Sequence, residues 1–273
     1  MKQSFSSIYL YLSFFAISFI FTSCSSSDPV VDPTTKGTIN IEFDNVVGDR
    51  QLKLNTDTYQ NAAGENFTVS ILNYYISNIK LLKADGSSYV VPQDSSYFLI
   101  RESNVASQKV TLNNVPAAEY TGVQFIVGVD STKSVADASL RKGILDPLSG
   151  PTNEEAMYWD WNPGYIFLKM EGTSPVVTSA NSKFYYHIGG FGGRTSKTLN
   201  NIRTVKVDFA GKKAIVTAAL SPEVHLLADV QKVFNGSTKV SILEHPAVMF
   251  VDYSKNIADN YINMFTLDHI HAD

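Results

Sequence analysis

The chain has 273 residues, 44% of them hydrophobic and 18% charged, with a formal net charge of −4 and a sequence pI of about 5.7. These are ordinary values for a globular protein, and the length is ample for a sizeable core. No Lys/Arg cluster occurs anywhere, which argues against nucleic acid as a partner.

Met1 and Lys2 give a weakly positive start, Ile8 to Phe21 is an apolar run, and Thr22-Ser23-Cys24 follows. This is the layout of a secretory signal, too short to serve as a stable membrane span. Cys24 is the sole cysteine, so no intramolecular disulfide can form and its position needs another explanation. Phe21-Thr22-Ser23-Cys24 resembles a bacterial lipobox, in which the cysteine becomes the acylated N-terminal residue. The expectation is a signal peptide over 1–23, lipidation at Cys24, and export to the cell envelope with a lipid anchor in a membrane leaflet. Residues 24–37, rich in Ser, Pro, Asp and Thr, read as a flexible tether.

From Thr38 to the C-terminus the chain reads as a single domain. Ile39, Ile41 and Phe43 alternate with Asn40, Glu42 and Asp44, the period of a half-buried strand. Phe67 to Leu82 reads as two strands or one long bent strand, and Asp85-Gly86 turns into a hairpin with Tyr89-Val90-Val91. Tyr97 to Ile100, Lys109 to Leu112 and Tyr120 to Val129 continue the series. Ser131 to Met157 is polar and punctuated by Pro and Gly, with a short helix expected over Ala136 to Lys142; such a long irregular connection is usually functional or mobile. Tyr165 to Met170, Phe184 to Ile188, Thr204 to Phe209 and Ala214 to Leu220 read as strands. The spacing of Val224, Leu227, Ala228 and Val230 predicts a short helix within Pro222 to Phe234, and Ile257 to Phe265 a second. The fold class expected is mainly β, a β-sandwich with a few short helices and a long irregular loop before the Trp-X-Trp motif.

Both tryptophans, Trp159 and Trp161, stand in Met157-Tyr158-Trp159-Asp160-Trp161-Asn162-Pro163-Gly164-Tyr165. They either flank a turn and plug the interior or form one side of a ligand or metal site. The five histidines all lie in the second half. His187 closes a strand before the loop Gly189-Gly190-Phe191-Gly192-Gly193, His225 follows Pro222-Glu223-Val224, and His269 and His271 form a His-Ile-His pair. On a strand, residues i and i+2 share a face, so the terminal pair can converge on one ion. Imidazole suits copper and zinc, and Met249 or Met264 could add a thioether. A hydrogen-bonded structural role is the plain alternative for each histidine. The sequence contains no nucleophile elbow and no His-Glu-X-X-His helix, so a binding protein is expected rather than an enzyme.

Tyr74-Tyr75-Ile76-Ser77-Asn78-Ile79-Lys80-Leu81, the Val115-Pro116 to Val129-Asp130 phrase, the Trp-X-Trp segment and Tyr186-His187-Ile188-Gly189 together resemble the MbnP-like copper-binding protein family. Asp268-His269-Ile270-His271 fits Bacteroidetes-type lipoprotein members. The resemblance implies an exported β-rich protein that binds a copper ion through histidines. It also implies that one tryptophan of the motif is oxidised to kynurenine, whose amine joins the copper shell, with a di-haem peroxidase of the MauG type as oxidant and partner. Residue by residue, the match reaches Trp159, Trp161 and His187; His225, His269 and His271 come from spacing. Many members carry a four-cysteine motif that this chain lacks, so its loops must be held another way, with packing as one option. Two other readings use the same aromatic surplus: a surface lipoprotein that stacks glycan or another small ligand on its rings, and a structural accessory subunit.

Overall fold

Ile39, Ile41 and Phe43 are fully buried, and the polar residues between them are only partly so. This alternation sets one face of the first strand against the core and leaves the other for chemistry. The computed structural model describes residues 31–147, 156–159, 164–179 and 181–272; Cys24 and Trp161 lie outside them. The principal strands are β1 (Lys36–Val47), β2 (Asn66–Leu82), β3 (Tyr97–Arg101), β4 (Lys109–Pro116) and β5 (Gly122–Val127). They continue with β6 (Ile166–Thr173), β7 (Lys183–Gly189), β8 (Arg203–Asp208), β9 (Glu223–Asp229) and β10 (Phe265–His271). β1 begins at Lys36, two residues inside the expected tether.

Two curled sheets form a β-sandwich. The first runs β10–β9–β1–β4, with β1 and β9 parallel and the remaining pairs antiparallel. The second runs β8–β5–β2–β6–β7, with β3 on the opposite edge of β2. β2 is one long strand of 17 residues. It bends where Asn78 takes φ 53°, a left-handed conformation that asparagine tolerates. The register of β2 with β5 shifts at that point, between Ser77 and Lys80. Phe43 of β1 meets Tyr74 of β2, Phe125 of β5 and Phe265 of β10 edge to face, which ties both sheets into one core.

Four sequence expectations are corrected. The region around His225 is not helical: Val224, Leu226 and Ala228 are fully buried at alternate positions, and the segment is strand β9 in the middle of the first sheet. The spacing of Val224, Leu227 and Ala228 satisfied a helical stripe by coincidence; pairing on both edges, to β1 and β10, decides for the strand. Only Gln231–Phe234 beyond it is helical.

The helix expected over Ala136–Lys142 is instead a five-residue helix, Ser131–Val135, followed by a 3₁₀ turn at Ala138–Leu140. Asp130 accepts from the Lys133 N–H and Asp137 from the Ser139 N–H, so each aspartate starts a fresh turn. The strand expected over Ala214–Leu220 stops at Val216, where Thr217 Oγ1 accepts from the N–H groups of Ala219 and Leu220 and turns the chain. The last helix covers Ser254–Tyr261, and Phe265 already belongs to β10.

Leu145 and Met157 of the long connection pack on the outer face of the second sheet. Leu145, Met157, Tyr165 and Phe191 bury a second, smaller apolar cluster with Tyr75, Leu99 and Phe167, and Trp159 packs on its margin.

Candidate metal centre

The register of β9 with its neighbours builds the site. His225 lies opposite His269 on β10 and opposite Glu42 on β1; Glu223 lies opposite His271 and Asn40. Because Val224 and Leu226 point into the core, Glu223 and His225 point out of it. Two rows of side chains therefore cross the outer face of the first sheet: Lys109, Glu42, His225 and His269 in one, and Thr111, Asn40, Glu223 and His271 in the other.

The rings of His225 and His269 stack at 4.3 Å with an interplanar angle of 11°. His271 stands edge-on to both, at 5.0 Å from His225 and 4.5 Å from His269. One ligand nitrogen from each lies within 4.8 Å of the other two, and His269 Nε2 and His271 Nε2 are 2.9 Å apart.

Carboxylates border the imidazoles. His225 Nδ1 is 3.5 Å from Glu42 Oε2, and its Nε2 is 3.9 Å from Glu223 Oε1. The Lys109 ammonium holds Glu223 Oε2 at 2.7 Å. Burial tends to raise the Glu223 carboxyl, but its bonds to Lys109 and Glu42 outweigh that and keep it below the ordinary carboxylate range. Glu42 is held above its ordinary value, first by burial and then by its hydrogen bond to Glu223.

A β-bulge completes the arrangement. His225 pairs with His269 while Leu226 pairs with Leu267, so Asp268 is the extra residue on β10. Asp268 Oδ2 accepts from His269 Nδ1 at 2.8 Å.

His187 lies elsewhere. Tyr186 and Ile188 enter the core from β7, so His187 projects from the outer face of the second sheet. Its Nε2 is 2.7 Å from Glu171 Oε1, and Lys169 Nζ is 3.5 Å from the same oxygen. Lys169 is 4% and Glu171 7% exposed. Burial would raise the Glu171 carboxyl, yet His187 and Lys169 together hold it below the ordinary range.

Trp159 lies on this same side. Its ring would come within 2.7 Å of a Cβ on Gly189, two residues after His187, so only glycine permits the approach. Its backbone N–H donates to the Gly164 carbonyl at 2.8 Å, and its ring meets Phe250 edge-on at 6.5 Å. The sequence-derived set of histidines and tryptophans therefore divides into His225, His269 and His271 on one sheet and His187 with Trp159 on the other. One mononuclear centre cannot draw on both. Met264 is fully buried in the core and His245 stacks on Tyr253 at 3.5 Å, so neither joins a site.

Sequence reasoning did not single out Glu42, Glu223 or Asp268. Their signal was present in part, because Glu42 sits at an outward position of an alternating strand; the bulge at Asp268 leaves none.

The family model for MbnP matches residues 36–250. This chain belongs to the MbnP family. The solved structure of MbnP from Methylosinus trichosporium superposes with a TM-score of 0.52 and 14% identity, covering 87% of this chain and 99% of that one. At that identity the shared property is the fold. No curated protein matches the chain. His187 and His225 fall within the family span, whereas His269 and His271 lie beyond its end.

Proposed function

We propose that this MbnP-family protein is a lipid-anchored binding protein of the cell envelope that captures copper on the outer face of its first sheet, through His225, His269 and His271. The observation that carries the reading is the convergence of three imidazoles from two paired strands. The donor set fits the ion: neutral imidazole is a strong ligand for copper and zinc, and three such groups need no cysteine. His225 Nε2 is buried without a hydrogen-bond partner, a cost that a bound cation at that nitrogen would relieve. Glu42 and Glu223 add negative charge beside the site, which favours a cation further.

The bound copper is cargo, and the chain's own contribution is to hold three imidazoles on a rigid two-strand frame. The tether after Cys24 lets the domain stand off the membrane that the acyl chains enter. Trp159 lies by the second sheet, so oxidation of that tryptophan to kynurenine by a MauG-type di-haem peroxidase would act beside His187, away from the three-histidine group. Among the described residues three imidazoles converge at His225, His269 and His271, and His187 belongs to no such group, which favours the first sheet as the copper site.

The test is elemental analysis and copper titration of the full-length protein from its native envelope, with intact mass of the tryptophan-containing peptide. About one copper per chain, lost in His225→Ala and kept in His187→Ala, is the expected result. The reverse pattern would move the site to the tryptophan side. Absence of copper from both the native protein and the titration would overturn the metal reading.

A further inference from the structure

The two carboxylates that border the histidine group raise the question of whether they form a second cation site. Glu42, Glu223 and His225 lie close enough together for one. The Lys109 ammonium, 2.7 Å from Glu223, already sits there as the counter-charge, and His225 is shared with the three-histidine group. The carboxylates act on the imidazoles instead.

We propose that Asp268 is a positioning residue that fixes the Nδ1–H tautomer of His269, so that His269 faces the ion through Nε2, and that the Glu42 carboxylate beside Nδ1 of His225 favours the same tautomer there. This rests on the copper reading above. The geometry is explicit for His269: Nδ1–H donates to Asp268 Oδ2 at 2.8 Å, leaving Nε2 as the lone-pair nitrogen, and that nitrogen lies 2.9 Å from His271 Nε2. For His225, Nδ1 faces Glu42 Oε2 at 3.5 Å, while Nε2 is buried with no hydrogen-bond partner. Glu223 does not compete for the Nε2 side, because its oxygen is 3.9 Å away and its charge is taken by Lys109. A neutral imidazole carries one N–H, and the nitrogen next to a carboxylate keeps it.

The bulge makes this possible. In a regular strand Asp268 and His269 would point to opposite faces. The extra residue lets both side chains reach the same side, which is how bulges re-aim residues beside functional sites. In the ion-free protein His271 Nε2–H donates to His269 Nε2. On loading, that proton leaves Nε2, and exchange with solvent at the exposed ring returns one to Nδ1. The stack of His225 on His269 must also open, because two parallel rings 4.3 Å apart aim their lone pairs side by side. A tetragonal Cu(II) ion with bonds of about 2.0 Å needs neighbouring nitrogens about 2.8 Å apart.

The experiment combines ¹⁵N NMR of the imidazoles in the ion-free full chain with Cu(II) titration of wild type, Asp268→Ala, Glu42→Ala, Asp268→Asn and Glu42→Gln. Nδ1–H tautomers at His225 and His269 are expected in the wild type. The alanine variants should lose about ten- to a hundredfold in Cu(II) affinity, with ion-free melting temperatures checking that they fold. Asp268→Asn, whose carbonyl still accepts from Nδ1, should keep the His269 tautomer and recover much of the affinity, whereas Glu42→Gln, which loses the charge beside Nδ1 of His225, should recover less. An Nε2–H tautomer at His269 in the wild type, or wild-type affinity in Asp268→Ala, would overturn the positioning role and leave copper binding standing. A wild-type chain that binds no copper would overturn both.

Discussion

Glu65 shows how much one side chain can carry when every lone pair is used. Its carboxylate accepts from Asn61 Nδ2, Ser241 Oγ and the N–H groups of Ile242 and Leu243, and so pins the 241–243 turn to the start of β2. Burial alone would raise its pKa, but these four donors hold it below the ordinary value of 4.5. Because the folded value is depressed, the contribution to stability is complete above the unfolded value and is lost as pH falls through the folded one. Glu65→Gln should cost about 1–3 kcal/mol at neutral pH. That difference, read from denaturant melts across pH, should shrink below about pH 4.5. A difference that stays constant into strong acid would show that shape, not charge, is what the site needs.

At the scale of elements, β9 decides both the core and the site. Leu226 is fully buried and Leu227 is only partly so, as a strand with one face inward requires. Leu226→Ala should therefore cost about 2–5 kcal/mol, and Leu227→Ala less than half as much. Equal costs would favour the helical stripe that the spacing suggested and would take His225 out of register with His269. β10 makes the same point at the end of the chain: Phe265 plugs the core while His269 and His271 ride on the outer face of the same strand. The alternation in Ile39, Ile41 and Phe43 was readable because one edge of the pattern was purely apolar. β9 was not, because the partners on both its edges are far away in sequence.

For the whole molecule, binding and folding share one balance. An ion held by β9 and β10 binds only when the strands are paired, so it stabilises the folded state by mass action. Copper at about a hundred times its dissociation constant should add about 2.7 kcal/mol. The expected readout is a rise in melting temperature that a chelator reverses and that His225→Ala lacks. Copper that lowers the melting temperature, or raises that of His225→Ala equally, would place binding elsewhere or on the unfolded chain. Among the described residues no helix is long and apolar enough to cross a membrane.

The sequence by itself determined the β-rich class, most strand positions, the family resemblance, and the fact that His269 and His271 share a face. These follow from local period and residue type, which need no knowledge of neighbours. The tertiary structure decided the rest. It turned the segment around His225 into a central parallel strand, brought that histidine across to the terminal pair, and separated both from His187 and Trp159. It also created the bulge that turns Asp268 onto His269. Each of these depends on register between strands far apart in the chain, and register is set by which faces the core accepts, a property of the assembled sheets that no single segment carries.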